Sequence, residues 1–146
     1  MPLDVRFLRK EDAAVLDHVA ADVFDDPLVR QATKDFLADD RHHIVVAIDA
    51  DVVVGFVTAV HYLHPDKSRP ELWINEVGVA PSHHRRGVGK SMMKAVLQLG
   101  AEIGCSVAWV MTERDNVAAM ELYRSAGALA DPTDHVMFSF DMGEPD

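Results

Sequence analysis

The chain has 146 residues, 49% hydrophobic and 26% charged, a length and balance that fit one globular domain spanning residues 1–146. Its single cysteine, Cys105, excludes an internal disulfide framework and any multi-cysteine metal site, and suits a reducing, cytoplasmic setting. Asp and Glu number 24 against 14 Lys and Arg, and the formal net charge of −10 disfavours nucleic-acid binding while favouring the approach of a small cationic molecule.

The N-terminus, MPLDVRFLRKED, is charged throughout and lacks an apolar core, so no signal peptide is expected. No apolar run approaches the roughly 18 residues of a membrane span, so no membrane association is expected. In LDVRFL, Leu3, Val5 and Phe7 alternate and predict a short strand. Ala13, Leu16, Val19, Ala20 and Val23 recur at three- and four-residue spacing, which predicts a helix over about residues 11–24. Beyond Pro27 a second short helix is predicted over residues 28–38. Two strands follow, IVVAI and VVVGFVTAVHYL, joined by an Asp49-Ala50-Asp51 turn. A polar loop, HPDKSRPE, leads into a further strand, LWINEVGV.

Next comes HHRRGVGKS, residues 83–91, whose end resembles a P-loop. A P-loop requires G-x-x-x-x-G-K-[ST], and the position five before Gly89 is His84. The motif fails at its first letter, and seven residues, Ala80 to Arg86, separate the strand from Gly87. A helix is predicted from about Gly87, with Val88, Met92, Ala95, Val96, Leu99 and Ile103 on one face and Gly104 as its stop. Then VAWVMT predicts a strand, DNVAAMELYRSAG a helix capped by Asp115 or Asn116, and HVMFSFDM a last strand. The order βααβββαβαβ implies a mixed α/β sheet covered by helices.

A helix start leaves backbone N–H groups unpaired, and its dipole favours an anion. Gly87 and Gly89 remove side chains that would bar a phosphate from those groups. Arg85, Arg86 and Lys90 add donors for a pyrophosphate, although solvated arginines beside a glycine turn would give the same sequence.

Strand, APSHHRR loop, G-V-G, long helix, strand, then N-x-x-A-x-x-L-Y-x-x-x-G resembles the GNAT superfamily of N-acetyltransferases, from about Val5 to Phe140. The family's acetyl-CoA motif, [RQ]-x-x-G-x-[GA], corresponds to His84-Arg85-Arg86-Gly87-Val88-Gly89, with His84 off the pattern but still able to donate a hydrogen bond. The resemblance implies a mixed, mostly antiparallel sheet of six to seven strands flanked by about four helices. It implies acetyl transfer from acetyl-CoA, as co-substrate, to an amine, without a metal. The stretch SRPELWINEVGVAPSHHRRGVG is further similar to the aminoglycoside 3-N-acetyltransferase branch.

By the same resemblance, Glu76 would take the amine proton. A carboxylate in a surface ion pair would read identically. Tyr123 would give a proton to the departing thiolate, although a core tyrosine occupies such a position equally well. Backbone groups of Val77 and Val79 would run beside the pantetheine arm. Asn116 either bonds that arm or caps its helix. The histidines His42-His43, His61, His64 and His83-His84 give no zinc spacing, since neighbours in a strand point to opposite faces. The acids Asp22, Asp25, Asp26, Asp35, Asp39 and Asp40 form solvated faces or border a cationic acceptor. A non-catalytic acyl-CoA-binding module and an enzyme acting on a peptide or protein amine are the competing readings. A homodimer is compatible with all of them, being the commonest assembly.

Overall fold

The computed structural model describes residues 3–145. Its sheet is formed by β1 (Asp4–Phe7), β2 (His42–Asp49), β3 (Val52–His64), β4 (Lys67–Val79) and β5 (Ala108–Val110), in that spatial order. Pairing is antiparallel from β1 to β4 and parallel between β4 and β5. The helices are α1 (Arg30–Ala38), α2 (Val88–Ile103) and α3 (Val117–Ser125), with short 3-10 helices at Lys10–Asp17 and Pro81–His83.

Residues Ile44 to Ile48 and Val53 to Ala59 are buried without a break, so β2 and β3 are covered on both faces, which is why they read as unbroken apolar runs rather than alternating ones. One face receives α2. A side chain at Gly55 would meet Met92 and Val88, and Gly100 sits against Leu72. The other face receives the N-terminal segment, where Phe24 stacks on Phe56 at 3.9 Å. Each fully buried Val, Leu or Met of this core contributes about 1.5–3 kcal/mol. The buried stripe of α2 is Val88, Met92, Met93, Val96 and Gly100. It is rotated slightly from the predicted face, with Ala95, Leu99 and Ile103 half-buried at its flank.

Four expectations are corrected. The helix over 11–24 is only the 3-10 turn Lys10–Asp17, because the chain beyond it pairs with β3: Ala20 N–H donates to Val53 O and Val53 N–H to His18 O. The loop HPDKSRPE shrinks to Pro65-Asp66, since β3 runs to His64 and β4 starts at Lys67. The strand in VAWVMT is confined to Ala108–Val110. The last strand does not form: residues 135–142 lie exposed and unpaired, so the sheet of the described residues has five strands rather than six to seven. The Asp49-Ala50-Asp51 turn is as expected, with Ala50 and Asp51 both at positive φ (49° and 65°), the handedness that a tight hairpin demands.

Candidate active site

One extra residue shapes the site. Thr58 pairs with Glu76, but the next β3 residue, Ala59, pairs with Ile74, so Asn75 is a bulge in β4. Leu72 and Ile74 face α2 and are buried. In an unbroken strand Glu76 would share their face. The bulge turns it to the opposite face, where Thr58 Oγ1 donates to Glu76 Oε1 at 3.0 Å. Thr58 is the one buried polar residue of the core among those described, and Glu76 satisfies it.

The bulge also ends a strand pairing. Leu72, Trp73 and Ile74 pair with Ala108, Trp109 and Val110, and beyond that point β4 and β5 part. The β5-facing edge of β4 from Asn75 to Val79 thus lacks a strand partner among the described residues, which opens a cleft lined by backbone donors and acceptors. Val77 and Val79 lie on this stretch.

Below the cleft, the chain turns through Pro81–His83 and enters α2 at Gly87, whose φ of 77° is the left-handed geometry that favours glycine. Arg85, at φ 61°, shares that geometry. The first intrahelical backbone bond is made by Ser91 N–H to Gly87 O, and no side chain caps the helix start. Val88, Gly89 and Lys90 therefore present unpaired N–H groups, the arrangement that receives anions. Gly89 also has a packing purpose. A Cβ there would lie 3.2 and 3.3 Å from the Leu122 methyl carbons, so its lack of a side chain lets α3 close on α2. A groove of about 540 Å³ runs between the two helices, lined by Gly87, Lys90, Ser91, Lys94, Leu97, Ser125 and Ala126.

Histidines hold the loop. His84 Nε2 donates to Val79 O at 2.8 Å, tying the motif's off-pattern residue to the end of β4. His83 Nε2 donates to Asp49 Oδ2 at 2.7 Å, and its Nδ1 lies 2.8 Å from the Ser82 hydroxyl. This bond to His83 holds the Asp49 carboxyl below its ordinary range. In sequence Asp49 read only as a turn residue and Ser82 did not stand out, because the bond from His83 to Asp49 joins a loop to a β-hairpin turn 34 residues earlier.

On α3, Asn116 Oδ1 accepts Ala119 N–H at 3.1 Å, so capping is one of its roles and its amide Nδ2 stays available to donate. Tyr123 is half-buried, and burial raises its phenol above the ordinary value, keeping it protonated at neutral pH. Leu122, its neighbour, seats the helix against Gly89 at the α2 entrance.

Sequence reasoning missed the surroundings of Glu76. Trp73 lies on the same face, stacked on Trp109 with ring centroids 5.5 Å apart and an interplanar angle of 13°. Trp109 Nε1–H donates to the Tyr62 hydroxyl at 2.5 Å. The chain's only two tryptophans therefore sit side by side near the candidate base. The available signal was the pair of parallel segments ELWIN and VAWVM, whose tryptophans fall in register.

The split between β4 and β5, the open helix start and the lysine-lined groove together suit an acyl-CoA: an edge for a pantetheine arm and N–H groups with cations for a pyrophosphate. Similarity to known proteins points the same way. The model of the acetyltransferase (GNAT) family matches residues 10–128. N-alpha-acetyltransferase RimI of Mycobacterium tuberculosis (strain ATCC 25618 / H37Rv) is 28% identical over 129 residues, 86% of this chain and 78% of its own. N-acetyltransferase 8B of Rattus norvegicus is 28% identical over 95 residues, 65% of this chain; the matched part is 43% of that protein, less than half its length. The structure of AAC(6')-Iy in complex with the bisubstrate analog CoA-S-monomethyl-acetylneamine superposes with a TM-score of 0.77 at 22% identity, over 97% of this chain and 99% of that one. With the family model covering most of its length, the chain belongs to the GNAT family of acetyltransferases.

Proposed function

We propose that the chain is an acetyl-CoA-dependent N-acetyltransferase that acylates the primary amine of a small cationic acceptor, aminoglycoside-like or polyamine-like. The observation that carries this reading is the Asn75 bulge, which opens the β4 edge and turns Glu76 onto the face of Trp73 and Trp109. Aromatic faces beside a carboxylate suit a cation. The net charge of −10 adds a field that draws one in. The 3-N branch is not carried forward, because the aminoglycoside enzyme compared above is designated 6'.

In this reading the N–H groups of Val88, Gly89 and Lys90, with Arg85 and Arg86, hold the pyrophosphate. Val77, Val79 and the Asn116 amide line the pantetheine arm, and His84 positions the loop through Val79. Acetyl-CoA supplies the activated acetyl carbon. Glu76 accepts the proton that the amine must lose, directly or through one water. Tyr123 donates its phenolic proton to the departing sulfur and regains one from solvent. The products are an amide and the free thiol.

Thiol release with acetyl-CoA and a panel of aminoglycosides, polyamines and peptides tests this. Turnover with a cationic small amine is expected, with kcat reduced about 10²-fold by Tyr123→Phe and by Glu76→Gln. Tight acetyl-CoA binding without turnover on any amine would instead establish a non-catalytic acyl-CoA module. The similarity to RimI over 86% of the chain favours a second reading, acylation of a peptide α-amine, and turnover on the peptides alone would select it.

A further inference from the structure

The face of β4 that carries Glu76 holds a second carboxylate, which the mechanism does not use. Along β3, Thr58, Val60 and Tyr62 share one face, and their register partners on β4 are Glu76, Trp73 and Glu71. Glu71 therefore lies on the face of Glu76, with Trp73 between them. Thr58 and Tyr62 are four residues apart, which separates the two acids by about 13 Å along the strand. Trp109, stacked on Trp73, also donates to the Tyr62 hydroxyl, so aromatic rings floor the interval between the acids.

Glu71 is poorly served by its own protein. Its side chain is only 18% exposed, and among the described residues its one ion-pair partner is His64, whose Nε2 lies 2.6 Å from Oε2. The Tyr62 ring meets His64 edge-on, with centroids 5.3 Å apart. The neighbouring cations are engaged elsewhere: Arg69 donates to Gly104 O and Cys105 O at 2.9 and 2.8 Å, and Lys67 pairs with Asp66. A carboxylate offers about four lone-pair sites, and Oε1 has no partner among the described residues. A largely buried charge so incompletely paired is costly, and it stands where an elongated acceptor would run. We propose that Glu71 is a second cation subsite and a specificity determinant of the cleft: the acceptor is a dication whose amines lie on the order of 10 Å apart, one held as an ammonium by Glu71 while the other loses its proton to Glu76 and attacks the thioester. This rests on the amine-acetyltransferase reading above and narrows its substrate class. The ammonium donates to Oε1 in a charge-assisted hydrogen bond, and the carbons between the two amines pack on Trp73 and Trp109. Linear polyamines and aminoglycosides both carry such paired amines.

Initial rates with acetyl-CoA and α,ω-diamines three to twelve carbons long, each beside the monoamine of equal length, test this. The diamine advantage in kcat/KM is expected to be small for the shortest members. It should reach about tenfold to a hundredfold where the amines span on the order of 10 Å, the scale of one charge-assisted hydrogen bond. Glu71→Gln is expected to bring the long diamine down to its monoamine, chiefly through KM. No advantage at any length overturns the inference, and so does an advantage that survives Glu71→Gln, which would put the second ammonium elsewhere. An aminoglycoside run alongside separates a ring-borne from a linear dication; either satisfies the inference if Glu71→Gln raises its KM by the same factor. Trp73 and Trp109 are the chain's only tryptophans and lie side by side at this site, so their fluorescence reports amine binding without turnover. If no amine is acetylated, the transferase reading fails, while a Glu71-dependent fluorescence preference for long diamines still upholds the subsite and its absence overturns it. The length series is read on the unaltered chain, so its outcome stands even if the variant fails to fold.

Discussion

Gly78 is the position where a single methyl group should disturb both stability and the acceptor side of the cleft. A Cβ built there lies 2.3 Å from Val23 O and 2.6 Å from a ring carbon of Phe56. Ordinary carbon contacts begin near about 3.5 Å, so the Val23 carbonyl must retreat by roughly 1 Å. That carbonyl is backbone and cannot rotate away as a side-chain tip can. Val23 is buried, and the next residue, Phe24, is stacked on Phe56 at 3.9 Å. Overpacking of this kind costs about 1–3 kcal/mol. Replacing glycine restricts the unfolded chain and returns about 0.4–1 kcal/mol. Gly78→Ala is therefore expected to lose about 1–2 kcal/mol.

Urea unfolding followed by the fluorescence of Trp73 and Trp109 measures this, as a lower midpoint at unchanged slope. Because Gly78 pairs with Phe56 on the face that carries Glu76, the lifted segment should raise KM for the amine and leave acetyl-CoA affinity within about twofold, the scale of a few tenths of a kcal/mol. A loss below about 0.5 kcal/mol, the range of an ordinary surface change, would refute the close approach of Val23 to β4.

Three further outcomes are expected. Gly89→Ala places a methyl 3.2 Å from Leu122, a flexible side chain, so stability should fall by only about 1 kcal/mol; kcat should fall further than acetyl-CoA affinity, because α3 carries Tyr123, and equal losses in stopped-flow binding and turnover would contradict this. His43 is held at a pKa of about 4, chiefly by burial and then by His61, whose Nδ1 lies 2.8 Å from His43 Nε2. The unfolded chain binds that proton more readily, so stability is present above about pH 6.5 and is lost as pH falls toward 4; discounted for its partial exposure, the change is about 1–2 kcal/mol, and His43→Gln should flatten it in melts across this window. His83→Ala removes the tether between Asp49 and the loop, and is expected to weaken acetyl-CoA binding about tenfold in calorimetry at unchanged kcat, with His83→Gln restoring part of the affinity.

The elements that sequence reading located well are those whose signal is local. The α2 periodicity, its stop at Gly104 and the Asn116 cap depend on residues three or four apart, and each lies where expected. The failures depend on distant partners. Residues 18–20 carry helical spacing, yet Val53 draws their backbone into a bridge, and no local pattern announces this. Gly89 reads as a phosphate-loop glycine, and its contact with Leu122, 33 positions later, is a second reason for glycine that no local pattern announces. The last strand was legible as alternation. What its letters could not say is whether an edge within the same molecule would receive it.

Asn75 joins these threads. Without the bulge, LWINEVGV would continue as a regular strand that places Glu76 over α2 in line with Leu72 and Ile74, a carboxylate among buried methyl groups. Such burial carries a cost of several kcal/mol unless the charge is paired, so the acid in this strand and the irregularity next to it require each other. The same irregularity stops β5 at three residues and separates it from β4, which leaves β5 held on one flank by a short ladder. A strand so short gains stability mainly from what packs on its other side. The device that opens a cleft on one side of β5 therefore also leaves its outer edge without a second strand among the described residues.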